Sequence, residues 1–188
     1  MRKAIFLDRD GTINIDYGYI YRKEDFQFLP KTIEALKLFE QLGFLLVIIT
    51  NQSGIARGYY SEEEYLELNR WMIEELSKEG IHIASSYYCP HHPDAKLKQY
   101  RVVCKCRKPG TALYNQACEQ LEIDDSLSYV IGDKIRDVAF CRESAAKGIL
   151  LYQDEECTEG NIISIRGGLY DAALIIKNDM EKQDERMV

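Results

Sequence analysis

Short apolar runs alternate along the chain with segments whose apolar residues recur every three or four positions. This is the signature of β–α–β units around a parallel sheet. Lys3 to Leu7 reads as a first strand ending at Asp8. From Thr32 to Leu42 the apolar positions Ile33, Leu36, Phe39 and Leu42 fall three apart and stop at Gly43, which predicts a helix with a glycine exit. Phe44 to Ile49 reads as a fully buried strand ending at Thr50. Ser61 followed by Glu64 forms a capping box that opens a helix to about Lys78, before Gly80. His82 to Tyr88 reads as a strand, Thr111 to Leu121 as a helix, and Ser128 to Ile131 as a strand ending at Gly132 and Asp133. A helix is expected over Lys134 to Lys147, a strand over Gly148 to Tyr152 and a last edge strand over Ala172 to Ile176. The charged stretch from Asn178, residues 178–188, is expected to fray. No Pro/Gly/Ser linker divides the chain, so residues 1–177 read as one α/β domain, a three-layer Rossmann-like parallel sheet with helices on both faces.

Two connections are longer than this alternation needs. Ile13 to Leu29 links the first strand to its helix and carries Tyr17, Tyr19 and Tyr21. Cys89 to Pro109 holds two histidines, three cysteines and three prolines. Both leave carboxyl ends of strands, where open α/β sheets bind ligands, and long connections in compact domains usually carry function.

Composition narrows the partners. Of the 188 residues, 24 are Lys or Arg and 31 Asp or Glu, a net charge of −7 that offers no surplus to neutralise a nucleic-acid backbone. The longest apolar run is the six residues Phe44 to Ile49, too short to span a bilayer, and Ala4 to Leu7 is too short for a secretory signal. The expectation is a cytoplasmic, monomeric protein with no nucleic-acid or membrane partner. Six cysteines at uneven spacing do not make a disulfide framework.

Chemistry concentrates at the strand ends. In Asp8-Arg9-Asp10-Gly11-Thr12 the two acids, two residues apart on extended chain, point the same way while Arg9 turns aside, and Gly11 permits a sharp turn. Thr50-Asn51-Gln52-Ser53-Gly54 offers hydroxyl, amide and backbone donors for phosphate oxygens, with Arg57 just beyond. Arg107-Lys108-Pro109 brings cations to a helix start, and Gly132-Asp133-Lys134 adds a third carboxylate beside a lysine. Together these describe phosphoryl chemistry. Each pair of like charges about 4 Å apart costs roughly 4 kcal/mol at an effective dielectric near 20. A divalent cation reverses that sign, and oxygen ligands beside a phosphate favour Mg²⁺.

Cys89, Cys104 and Cys106 with His91 or His92 form two compact pairs, twelve residues apart between His91 and Cys104. Three thiols and an imidazole are a structural zinc set, though buried metal-free cysteines would also fit the spacing. Cys106 precedes Lys108 by two residues, so fixing the thiolate would fix the reach of the lysine.

The order and wording of these motifs resemble the haloacid dehalogenase superfamily of phosphatases, and "FLDRDGTIN", "TNQSGIARG", "YYCPHHP", "CKCRKP" and "GDK" resemble its heptose-bisphosphate phosphatase group, relatives of histidinol-phosphate phosphatase. The similarity runs from about Ile5 to Gly148. It implies a haloacid-dehalogenase-like fold without a large cap domain, the zinc-bound loop 89–109 standing beside the site. It implies removal of the 7-phosphate of a heptose 1,7-bisphosphate, with Asp8 as the nucleophile that becomes an aspartyl phosphate and Asp10 as an acid, initially protonated, then base. It also implies Mg²⁺ held by the Asp8 side chain, the Asp10 backbone carbonyl and Asp133; Thr50 and Lys108 on the transferring phosphoryl group; and Asp16, Tyr17, Gly18, Tyr19, Asn51, Gln52, Ser53, Arg107 and Lys134 on the sugar bisphosphate. Zinc would take Cys89, His91, Cys104 and Cys106. Gly110 directly after Pro109 departs from the group's usual wording and shortens the link into the next helix. Histidinol phosphate is the runner-up substrate, fructose 1,6-bisphosphate a side activity, and a phospho-accepting receiver module the alternative of a different class. Asp137 reads as a supporting or helix-start acid rather than a ligand. Cys118 and Cys141 read as core residues, Cys157 as a loop residue, and Asp154 to Glu156 as a solvated face.

Overall fold

A computed structural model describes residues 1–151 and 157–186 of the chain. Among the described residues one sheet contains β1 (Ala4–Leu7), β2 (Leu45–Asn51), β3 (Ile83–Cys89), β4 (Tyr129–Gly132), β5 (Lys147–Leu150), β6 (Cys157–Glu159) and β7 (Ile162–Ser164). Their order is β3-β2-β1-β4-β5-β7-β6, every pairing parallel except β6 with β7. The helices are α1 (Thr32–Gln41), α2 (Ser53–Arg57), α3 (Glu62–Lys78), α4 (Ala112–Leu121) and α5 (Leu169–Arg186). None of the described helices is long and apolar enough to cross a membrane.

Side-chain alternation along the strands builds the three layers. Ile5, Leu7, Leu46, Ile48, Ile131 and Ile149 face the layer of α1, α3 and α5, while Ala4, Phe6, Val47, Ile49, Val130 and Leu150 face α4 and the turn over Ala139–Arg142. Both faces of the central strands are covered, which is why they read as continuous apolar runs rather than alternating ones. The Ser61 hydroxyl accepts from Glu64 N–H and the Glu64 carboxylate from Ser61 N–H, so the capping box opens α3 as its sequence predicts.

The second half departs from the expected pattern. Instead of a helix over Lys134 to Lys147 there are turns and one short 3₁₀ segment, Ala139–Arg142. Two hydrogen bonds divert the backbone. Tyr114 hydroxyl donates to the Asp137 carbonyl at 2.7 Å, and Cys141 N–H turns to Val138 carbonyl at 3.1 Å. The Asp137 carbonyl that a helix would offer to Cys141 is thus taken.

Ala172 to Ile176 is not an edge strand but part of α5. Leu169, Ala172, Ala173 and Ile176, spaced three, one and three apart, form its buried stripe beside α1. The same helix runs on past Asn178 to Arg186. Asp179 accepts from Tyr129 hydroxyl at 2.7 Å and from Lys147 Nζ at 2.6 Å, pinning the continuing helix to the sheet. A hairpin that the pattern does not announce, β6–β7, turns through Gly160 (φ +58°) and Asn161, and Cys157 begins it. Tyr152 and the acidic run Asp154 to Glu156 lie outside the described residues.

Candidate active site

β1 lies between β2 and β4, so the chain leaves the sheet in opposite directions around it. Their carboxyl ends open a crevice at this switch point, where such sheets bind ligands. The crevice is a cleft of about 360 Å³. The β1 connection contributes Asp8, Asp10, Asp16, Gly18 and Tyr19, and the end of β2 contributes Thr50, Asn51, Gln52 and Ser53. Arg107, Lys108, Lys134 and Asp137 complete its far wall. Tyr17 does not join them. It is 65% exposed, and its hydroxyl donates to Gln27 Oε1 at 3.2 Å, outside the cleft.

Asp8, Asp133 and Asp137 bring carboxylate oxygens within 4.8 Å of one another. Two glycines make room for them. A Cβ on Gly11 would strike the Asp133 carboxylate, and its φ of +84° suits only glycine; a Cβ on Gly132 would strike Asp137. Lys108 Nζ, buried, lies 2.6 Å from Asp8 Oδ1, donates to Ile49 carbonyl at 2.8 Å and sits 2.8 Å from Asp137 Oδ1, off the hydrogen-bonding direction. Burial lifts the Asp8 carboxyl to about 7; Lys108 opposes the rise, and Asp137 and Asp10 reinforce it. Asp133 Oδ1 is buried without a protein partner. An all-oxygen donor set that is still short of positive charge fits a hard divalent cation such as Mg²⁺. Asp137, read from the sequence as a supporting acid, is part of this group. Its signal was its place four residues beyond Asp133, just before the buried Val138.

Asp10 stands apart from the trio, and Arg9 does not turn away from it. The fully buried Arg9 folds back so that Nη2 lies 2.9 Å from both Asp10 carboxylate oxygens, while also donating to Ile20 carbonyl. Asn14 and Gln52 donate to the same carboxylate. Burial pushes Asp10 up, but the Arg9 charge and these hydrogen bonds outweigh it, and the carboxyl ends below its ordinary value. This arrangement favours the charged form of Asp10, whereas the sequence reading has it start protonated. A buried arginine at a strand end needs an anionic partner, and that requirement was the overlooked signal.

The β2 end is a linked set. Gln52 Nε2 donates to Thr50 Oγ1 and Asp10 Oδ2, and its Oε1 accepts from Tyr60 hydroxyl at 2.6 Å. Asn51 Nδ2 donates to Lys108 carbonyl, and Asn51 Oδ1 accepts from Lys108 N–H, so this side chain clamps the lysine's backbone. A Cβ on Gly110 would strike the carbonyls of Lys105 and Arg107, so the tight turn after Pro109 depends on glycine there.

Beside the cleft, the Sγ atoms of Cys89, Cys104 and Cys106 lie 3.1 to 3.6 Å apart, and His91 Nδ1 lies 3.3 Å from Cys106 Sγ and 3.7 Å from Cys89 Sγ. A tetrahedron with metal–sulfur bonds of ~2.3 Å has sulfur edges of about 3.8 Å. The four ligand atoms are close to that spacing and could hold a zinc. His92 is not among them. Burial and the charges of Arg107 and Arg57 push its pKa below the ordinary value.

Comparison with known proteins agrees with this geometry. The family model described as polynucleotide kinase 3 phosphatase matches residues 3–159. A D-glycero-beta-D-manno-heptose-1,7-bisphosphate 7-phosphatase of Pasteurella multocida is 46% identical over 151 residues, 80% of this chain and 82% of that protein. One of the same name from Photorhabdus laumondii is 50% identical over 135 residues, 72% of each. The crystal structure of a D,D-heptose 1,7-bisphosphate phosphatase from B. bronchiseptica, complexed with magnesium and phosphate, superposes with a TM-score of 0.80 at 25% identity, covering 94% of this chain and 99% of that one. With its parallel sheet, acidic strand-end trio and buried lysine, the chain belongs to the haloacid-dehalogenase-like phosphatases, in the family of the heptose-1,7-bisphosphate 7-phosphatases.

Proposed function

We propose that the protein is a phosphoric monoester hydrolase that removes the 7-phosphate of D-glycero-D-manno-heptose 1,7-bisphosphate through an aspartyl phosphate on Asp8. The observation that carries this reading is Lys108, buried between Asp8 and Asp137 at the floor of a cleft whose mouth carries Arg57, Arg107 and Lys134. Asp8, Asp133 and the Asp10 backbone carbonyl would hold Mg²⁺, with Asp137 close enough to join or support them. When bound, the ion supplies the positive charge that keeps Asp8 ionised and neutralises the incoming phosphate.

Asp8 attacks phosphorus, and the bond to the sugar oxygen breaks. Thr50 hydroxyl and Lys108 Nζ stabilise the equatorial oxygens. The leaving oxygen needs a proton, and the arriving phosphate dianion pushes the Asp10 pKa back up, so that Asp10 can carry one to it. Asp10 then takes a proton from water as the ester hydrolyses. Asp16, Gly18, Tyr19, Asn51, Gln52, Ser53, Arg107 and Lys134 face or frame the sugar; Tyr17 would have to swing inward to join them. Histidinol phosphate fits less well, because its ammonium group would meet the cationic mouth. The reading also has the protein act as a monomer in the cytoplasm, where reduced thiols leave the cysteine set free for zinc.

Steady phosphate release with Mg²⁺ from either anomer of the bisphosphate, at a kcat/KM at least about tenfold above that for histidinol phosphate, is the expected result. The reverse order would overturn the substrate.

Zinc at Cys89, His91, Cys104 and Cys106 would order the loop that carries Arg107 and Lys108. Chelation to verified zinc-free protein is expected to cut kcat/KM by about 10–100-fold, as losses that misplace a positioned group do, and to lower the melting temperature. Full turnover with an unchanged KM in that protein would separate the loop from catalysis.

A further inference from the structure

Every donor that Gln52 possesses is already engaged inside the protein. Its backbone N–H donates to the Cys89 carbonyl at 2.8 Å. In the side chain, Nε2 donates to Thr50 Oγ1 at 2.9 Å and to Asp10 Oδ2 at 3.1 Å, and an amide nitrogen has only these two protons. Oε1 accepts from the Tyr60 hydroxyl at 2.6 Å. The residue lines the cleft yet is only 2% exposed. No donor remains with which this side chain could reach a sugar hydroxyl or a phosphoryl oxygen.

The network runs in one sense. Asp10 Oδ2 already accepts from Arg9 Nη2, so the nitrogen of the Gln52 amide, not the oxygen, must point to it. The oxygen is left facing Tyr60, whose hydroxyl donates to it. The Tyr60 ring is clamped: it stacks on Tyr21 with centroids 5.1 Å apart, and a Cβ on Gly54 would strike it. The consequence reaches Thr50. Its Oγ1 accepts from the amide, and its own proton has no acceptor among the described residues, so that proton is left for an oxygen in the cleft that Thr50 lines. One amide thus fixes both the hydroxyl at the end of β2 and a carboxylate 42 positions away, after β1.

We propose that Gln52 is a positioning residue of the phosphoryl-transfer machinery rather than a contact to the sugar, and that Tyr60 sets its orientation. Gln52 aims the Thr50 O–H at the transferring phosphoryl group and holds the Asp10 carboxylate beside it, so that both meet the substrate without rearranging. This assignment rests on the phosphatase reading above and takes the Gln52 side chain out of the set that frames the sugar.

The test uses the full-length protein with Mg²⁺ and the heptose 1,7-bisphosphate. Gln52→Met keeps the length of the side chain and removes all three of its hydrogen bonds. It is expected to lower kcat at least about tenfold, toward the 100-fold that a misplaced catalytic group costs. Affinity, measured by calorimetry with Asp8→Asn added to stop turnover, is expected to stay within about fivefold. Tyr60→Phe keeps the clamped ring and loses only the hydroxyl; it is expected to lower kcat about fivefold, the scale of one neutral hydrogen bond, with affinity again held. Combined with Gln52→Met it is expected to add no further loss, because Tyr60 acts through the amide. A smaller fall in kcat for Gln52→Met, or a larger fall in affinity, would overturn the proposal, and a fully multiplicative double variant would overturn the role of Tyr60. Should Gln52→Met lose the fold, the split of kcat from affinity in Tyr60→Phe carries the same decision. Phosphate release by the native protein keeps the two readings apart: its absence would sink the phosphatase reading, and this assignment with it, before any substitution is compared.

Discussion

Asp8→Asn is expected to slow phosphate release by about 10⁴-fold or more, while substrate affinity and the fold persist. The amide has almost the shape of the carboxylate, and its oxygen can still accept from Lys108 Nζ, which lies 2.6 Å from Asp8 Oδ1. What it lacks is the charged oxygen that attacks phosphorus, and loss of a nucleophile typically removes four or more orders of magnitude. Phosphate release under saturating Mg²⁺ checks the rate, calorimetry checks binding, and rapid acid quenching with mass measurement checks for a phosphorylated chain in the native protein and its absence in the variant. Turnover within tenfold of native would place the nucleophile elsewhere. A stable, stoichiometric phosphoprotein with no continuing release would instead favour a receiver-like module. The fixing of Asp10 by Arg9, Asn14 and Gln52 argues against that storage role, because it sets a carboxylate two residues from Asp8 in the form that can activate water.

The residues made visible by the sequence were those whose roles are local. The paired acids after β1, Thr50 and Asn51 after β2, and Gly132-Asp133 after β4 lie at strand ends that the apolar runs announce, and parallel pairing alone carries these ends to one edge of the sheet. The cysteine–histidine cluster was legible for a related reason: the four residues that could hold a metal sit in two short pairs. Residues whose roles depend on distant partners were misread or missed. Asp137 gains its place because Tyr114, 23 positions away, captures its carbonyl and stops a helix that periodicity alone favours. Arg9 seemed to leave the site because strand alternation fixes only the direction of Cβ, whereas a long side chain can fold back to a partner. Asn51, which lines the cleft, also clamps the backbone of Lys108, 57 positions away, and that second role has no local trace. The C-terminal helix was misjudged for a different reason: a window of five residues cut its i, i+3, i+4, i+7 stripe short, and the anchoring of Asp179 by Tyr129 and Lys147 has no local trace.

Lys108→Met carries the second large effect, and it acts on stability and rate through the same charge. In the native protein the ammonium stands between Asp8 and Asp137, both nearly inaccessible to solvent. Removing one partner of a buried ion pair costs about 3–5 kcal/mol, because the remaining charge is left without compensation. For a chain of this size that is a fall of roughly 10 °C in melting temperature. The Asn51 clamp holds the backbone at position 108 irrespective of the side chain, so the methionine stem should occupy the lysine's channel and the loss should be one of charge rather than of loop position. Activity is expected to drop about 10³-fold, the scale seen when a group stabilising a developing oxyanion is removed. Mg²⁺ should raise the variant's melting temperature more than the native protein's, since it supplies part of the missing charge. Adding Asp137→Asn separates the two contributions. With one acid neutralised, the double variant should regain a substantial share of the lost stability in thermal unfolding without regaining turnover. If rate and stability recovered together, Lys108 would be a structural counter-ion only, and the stabilisation of the transferring phosphoryl group would have to come from Thr50 and the metal.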